Sequence, residues 1–304
     1  EQSVNRMEQD GWKRWKHKLL LQRLNGKMKP ILGSLQLNHF HWEEQLWWMV
    51  AGNFGRTVNT AAFESIARSI PFPLLAKHRP HRIQLEALLF GQANLLEKDF
   101  VESYPQMLRK EFQFLKKKYG LKKVFEQVHF LRMRPENFPT IRLSQLAGLY
   151  AENSNLFAWM LQCNSVKEIC RRLRIPAGSY WSHHYVFDRE SPFREKALGL
   201  KMSENIIINS LIPLLYTYGI NYPDKGIEER ALTWTREIKA EQNGLLAQWK
   251  KLGIKINTAA ESQALLELNK QYCRQKRCLD CDVGKFLLLP GKDTPGPPGS
   301  TGTQ

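Results

Sequence analysis

Three thiols stand close together in "YCRQKRCLDC": Cys273, Cys278 and Cys281, among the charged residues Arg274, Lys276, Arg277 and Asp280. The spacing C-x4-C-x2-C opens a plant-ferredoxin ligand pattern, and structural zinc sites use the same donors. Either centre needs a fourth ligand. No cysteine follows Cys281, so Cys163, Cys170, a histidine or a carboxylate would have to supply it. Helix geometry sets a condition. Cys278 and Cys281 share a helix face, whereas Cys273 lies about 140° away from that face. An unbroken helix therefore separates the three, and a turn at "RQKR" would gather them. The basic neighbours favour thiolates and would equally favour a phosphate. Zinc or an iron–sulfur cluster is the cofactor expectation. The plain alternative is three packed or solvent-facing thiols.

A second constellation is "RMRPENFPTIRLSQLA", from Arg132 to Ala147. Pro135 and Pro139 push Arg134 and Phe138 towards extended backbone. In an extended segment Arg132 and Arg134 point to the same side. Arg142 falls near the start of the next helix, where free N–H groups favour an anion. Such a group can grip phosphates or a carboxylate. Alternatively the arginines cap helices or pair with Glu136. Lys116, Lys117, Lys118, Lys122 and Lys123 in "LKKKYGLKK" would extend the basic surface, with "CRRLR" as a second run.

The third is "YWSHHYVFDRE", which holds Tyr180, Trp181, His183, His184, Tyr185 and Asp188. If helical, His184 and Asp188 at i and i+4 share a face and form a metal or acid–base pair. Trp181 or Tyr185 beside cations would stack on an unpaired base. The bland reading is an aromatic cluster that anchors a loop. "HFHWEE" reads as a helix start with acidic first-turn residues. No Walker-type loop, HExxH helix or GxSxG elbow is present.

The elements that must carry these residues are helical. "WKRWKHKLLLQRLNGKM" places Trp12, Trp15, Leu19, Leu20 and Leu24 near one face. "NTAAFESIARSI" has a capping residue in Asn59 or Thr60 and stops before Pro71. "MLRKEFQFLKKKYG" is amphipathic, its basic last turn suits the helix dipole, and Gly120 can end it. Alternating strand patterns are almost absent. The expected fold is all-α: a compact multi-helix body over residues 1–289, with one extended Pro-containing connector. It would form one domain or two abutting helical layers that divide near residues 125–140. The tail from Pro290 to Gln304 is mostly Gly, Pro, Ser and Thr and is expected to be disordered.

Composition bounds the partners. The 304 residues carry 45 Lys+Arg against 29 Asp+Glu, a formal net charge of +16. That excess favours nucleic acid first and acidic membrane surfaces second. No apolar run reaches the length of a membrane span. Five unevenly spaced cysteines do not suggest a secreted disulfide scaffold. A reducing cytoplasm is the expected setting.

Taken together, "NFGRTVNTAAFESIA", "LEALLFGQANLL", "RMRPENFPTIRLSQLA", "YWSHHYVF", "IIINSLIPLLYTYG" and "SQALLELNKQYCRQKRCLDCDVG" resemble the uncharacterised bacterial DUF2851 family. The likeness runs from about Val4 to Leu288. It implies an additional N-terminal region, richer in strands and reminiscent of a metal-dependent nuclease, which this chain is expected to lack as a C-terminal helical part. The leading expectation is therefore a basic nucleic-acid-binding helical module that accompanies a processing domain. One rival is an enzyme that uses His184, Asp188 and the arginines on a small anionic substrate. The other is a protein-interaction scaffold.

Overall fold

The computed structural model describes residues 9–223 and 226–288. Helices dominate, as the periodicity predicts. In chain order they are α1 (Gln9–Leu37), α2 (Trp42–Phe54), α3 (Arg56–Ser69), α4 (Phe72–His78), α5 (Arg82–Gln92) and α6 (Ser103–Tyr119). Then come α7 (Pro139–Glu152), α8 (Leu156–Gln162), α9 (Val166–Arg172), α10 (Leu200–Ile206), α11 (Ile212–Asn221) and α12 (Ile227–Glu237). The last are α13 (Gly244–Lys251), α14 (Ala259–Leu268) and α15 (Asp282–Leu288). Two short antiparallel strands, β1 (His184–Val186) and β2 (Arg189–Glu190), form a small hairpin. The tail from Pro290 lies outside the described residues.

The chain divides into two compact units, one of Glu1–Gly26 with Thr235–Gln304 and one of Lys27–Trp234. The stretch 125–140, where the sequence suggests a division, lies inside the second unit.

The first unit has its own core, in which Trp15 and Leu19 of α1 meet Leu246, Ile254, Ile256, Leu265 and Leu268. Lys16 pairs with Glu261 at 2.7 Å and Arg23 with Glu267 at 3.5 Å. Glu261 also closes a capping box with Thr258 at the start of α14.

In the second unit α5 is central. Leu85 to Gln92 is buried without interruption, and α5 packs against both α6 and α7. Gly91 allows the approach of α6: a Cβ there would fall 2.1 Å from Phe112 Cγ. Gly91→Ala should therefore destabilise the fold by about 1–3 kcal/mol, despite alanine's better helix propensity. Urea unfolding of the variant tests this, and trimming the ring with Phe112→Leu should recover part of the loss.

Helix ends follow the expected chemistry with one exception. Gly120 closes α6 in the left-handed conformation (φ +62°). His41 caps α2 with Nδ1 accepting the Glu44 N–H at 3.1 Å, and Glu43 and Glu44 occupy the first turn. The exception is α3, which starts at Arg56 behind Gly55, earlier than the predicted cap at Asn59 or Thr60. Asn59 is buried, and its side-chain amide pairs with both backbone groups of His129, at 2.7 and 2.9 Å. An amide that matches a peptide edge this way fixes the passing chain.

That passing chain is the connector between α6 and α7, residues 121–138. Arg134 (ψ 147°) and Phe138 (ψ 145°) are extended before their prolines, as expected. Between them Pro135–Asn137 makes one 3-10 turn. Arg132 adopts φ +61°, so Arg132 and Arg134 do not share the side that a continuous strand would give them.

Candidate nucleic-acid interface

Around the hairpin, three rings form a stack. Tyr104 and Tyr180 lie 4.3 Å apart between centroids, and Tyr180 and His184 lie 3.9 Å apart with their planes nearly parallel. A carboxylate serves each end. Glu86 on α5, only 1% exposed, accepts from the Tyr104 hydroxyl at 2.5 Å and the Ser144 hydroxyl at 2.6 Å. Arg82 Nε reaches the same carboxylate at 3.4 Å and its Nη2 donates to the Pro176 carbonyl at 2.8 Å. Glu102 accepts from the Tyr180 hydroxyl and meets His184 Nε2 at 3.0 Å. His184 Nδ1 faces the Tyr180 carbonyl at 2.9 Å. Burial, and then the hydrogen bond to Glu102, push the Tyr180 hydroxyl far above its ordinary pKa; burial and the Glu86 charge do the same to Tyr104. Both phenols stay protonated donors.

His184 and Asp188 do not form the predicted helical pair. His184 sits on β1, and Asp188 takes φ +57° in the turn before β2, a conformation that a short polar side chain tolerates. The structure does bring both to one place, the start of α6. The Asp188 carboxylate accepts the Val101 and Glu102 N–H groups at 3.0 Å each. Both side chains are thus occupied in joining the hairpin to that helix end.

Trp181 is fully buried, with Phe187 at 5.0 Å and Phe90 at 5.3 Å between ring centroids. It has no face left for a base, which corrects the stacking expectation. Tyr185 carries the Lys196 ammonium 4.2 Å from its ring centre. Lys196 is itself buried, and donates to the carbonyls of Trp181 (2.5 Å), Ser182 (3.2 Å) and Arg194 (3.3 Å). Three carbonyls satisfy the three donors of an ammonium.

The arginines of the connector are arranged otherwise. Arg142 is only 6% exposed, yet its partners are neutral amide oxygens. Nη1 donates to Gln145 at 2.8 Å and Nη2 to Asn137 at 2.6 Å. Its Nε is buried without a partner. Gln145 is held in place by its own bond to the Lys196 carbonyl at 2.8 Å. Arg56, exposed on α3, donates to the same Asn137 oxygen at 3.1 Å. Burial, followed by the neighbouring Arg56 charge, lowers the Arg142 pKa to about 10. The nearby carboxylate, Glu136, is engaged by Arg194 at 2.8 Å. Arg132 and Arg134 are exposed. None of Arg56, Arg132, Arg134 and Arg142 has an ion-pair partner among the described residues.

Lys116, Lys117, Lys118, Lys122 and Lys123 are all exposed. Lys123 pairs with Glu97 at 2.7 Å, and Lys118 lies 5.2 Å from the centre of the exposed Phe114 ring. The most exposed aromatic of this region is Phe125, at 85%. No motif or periodicity marks it; its one sequence signal is its place between two lysines and two arginines in an unpatterned stretch. Glu86 and Glu102 were missed as well. The available signal was a glutamate inside the apolar run "LEALLFG".

At the far end of the chain, "RQKR" does break the helix. Asn269–Cys273 is a π-helical turn, and Lys276 takes φ +55°. Cys273 and Cys278 are exposed and Cys281 is buried. Burial, then the neighbouring Cys281 and Cys278 thiols, raise the pKa of Cys273. Among the described residues no three His, Cys, Asp or Glu side chains are grouped as ligands of one metal ion. None of the described helices is long and apolar enough to cross a membrane.

No curated protein and no solved structure matches the chain. One family model does, over residues 1–244, a span that includes the connector and the hairpin and stops short of the cysteine-bearing end. With most of its length matched, the chain belongs to the family described as protein of unknown function, DUF2851.

Proposed function

We propose that the second unit binds nucleic acid, with the connector between α6 and α7 as its contact surface. The observation that carries this reading is that Arg56 and Arg142 meet at Asn137 and that neither they nor the connector's Arg132 and Arg134 have an ion-pair partner among the described residues. Structural arginines are ordinarily paired when buried. Arg142 is buried and hydrogen-bonds only to amides, and the nearby Glu136 carboxylate is bonded to Arg194 instead, so its guanidinium has room for an external anion. Phosphates are bound by this combination of guanidiniums and amides. The exposed lysines from Lys116 to Lys123 add sequence-independent attraction, and Phe125 offers the ring on which a base can stack. The enzyme alternative loses support because His184 and Asp188 are spent on the start of α6. On this reading the module works in the cytoplasm of a bacterium beside a nuclease-like region of the same protein.

Salt titration tests it. With roughly five phosphates held on a single strand, log K should fall against log salt with a slope near −3.5, at about −0.7 per phosphate. Replacing Arg132 and Arg134 together by Gln should make that slope shallower by about 1.4. Oligonucleotides that remain unretarded at low ionic strength would exclude the reading.

A further inference from the structure

Resting on that reading, we infer that Arg142 and Arg56 form a pocket for a terminal phosphate of a nucleic-acid strand, and that the module reads strand ends. Depth is the reason. Arg142 is 94% removed from solvent, its exposure being 6%. A phosphodiester inside a strand carries a sugar on either side and rides over a surface. Only a group that projects from the end of a chain can enter to reach a guanidinium at that depth. A terminal phosphate does so with three oxygens and a charge of about −1.5 to −2 at neutral pH.

The pocket is built for such a charge. Two guanidiniums converge on the single Asn137 oxygen, at 2.6 and 3.1 Å. Like charges held this close repel each other, and the nearby carboxylate, Glu136, is shared with Arg194. Arg142 Nε is buried and has no acceptor, a state that costs free energy until one arrives. Gln145 is locked by the Lys196 carbonyl and holds the guanidinium from the other side. Arg56, which shares the Asn137 oxygen, is exposed. A doubly charged phosphate satisfies the vacant donor and neutralises both cations at once.

The test is fluorescence anisotropy on the full chain with one single-stranded oligonucleotide in three forms: 5′-phosphate, 3′-phosphate and both ends hydroxyl. One phosphorylated end should bind about 10-fold tighter or more, the range expected of charge-assisted hydrogen bonds. The preference should weaken below about pH 6, where the second phosphate proton is regained. Inorganic phosphate should erase the preference while leaving the hydroxyl form bound. Arg142→Lys, which removes the fork, and Arg56→Gln, at an exposed position that folding tolerates, should each bring the ratio of the two affinities towards one. Wild-type protein that binds all three forms equally overturns the end-reading inference and leaves the nucleic-acid reading intact. No binding of any form overturns the reading itself, and the inference with it.

Discussion

Glu86→Ala is expected to cost about 3–5 kcal/mol of stability, the penalty of leaving a buried charge network without its central acceptor. Three donors meet at this carboxylate: the hydroxyls of Tyr104 and Ser144 and the Arg82 guanidinium. Ser144 is itself fully buried and also accepts the Gly178 N–H at 2.8 Å. Removal of Glu86 therefore disturbs α5, α6, α7 and the segment leading to the hairpin together. Glu86→Gln should cost less, about 1–3 kcal/mol, because its amide turns one acceptor into a donor that confronts a hydroxyl. Tyr104→Phe removes a single donor and should be the mildest of the three. Equilibrium urea unfolding of the set checks the order. An alanine variant as stable as the wild type would show that the cluster does not hold the unit together.

Trp181→Ala should be comparably severe, about 3–5 kcal/mol, as for other large aromatic truncations in a core. The indole is fully buried and touches rings from α5, α6 and the hairpin turn. Its backbone carbonyl also receives the Lys196 ammonium, so collapse of the cavity would loosen the neighbouring strap. The same substitution separates a structural role from a binding role. With the fraction folded taken into account, Trp181→Ala should leave oligonucleotide affinity unchanged. Phe125→Ala should lower that affinity by about 1–3 kcal/mol, the cost of losing one stacked base, without changing the urea midpoint. Reversal of that pattern would return the stacking role to Trp181.

Much of the helical frame was legible because it follows local rules. Gly120, Pro135 and Pro139 act through steric limits on their own or adjacent backbone. The faces of α1 and α6 follow from periodicity. What was not legible depends on partners distant in sequence. Whether Trp181 faces solvent is decided by Phe90 on α5 and Phe187 beyond the first strand, and nothing in "SYWSHH" encodes either. His184 and Asp188 have helical spacing, but the left-handed turn at Asp188 makes a hairpin. The N–H groups it caps belong to residues more than eighty positions earlier. The proposed arginine surface mixes local and distant signals. Arg142 stood out beside its prolines, whereas Arg56 joins it only because Asn59 clasps the backbone of His129.

The make-up of the first unit has a consequence on the ribosome. Its opening piece, up to Gly26, must wait for residues from Thr235 onward before its core can close. At about 5–20 residues per second the intervening stretch takes about 10–40 s to emerge. Throughout that interval Trp15 and Leu19 lack the side chains of Leu246, Leu265 and Leu268 that later cover them. A nascent chain of this design leaves a sticky aromatic face uncovered until the segment from Thr235 is made, so co-translational chaperones should engage it at α1.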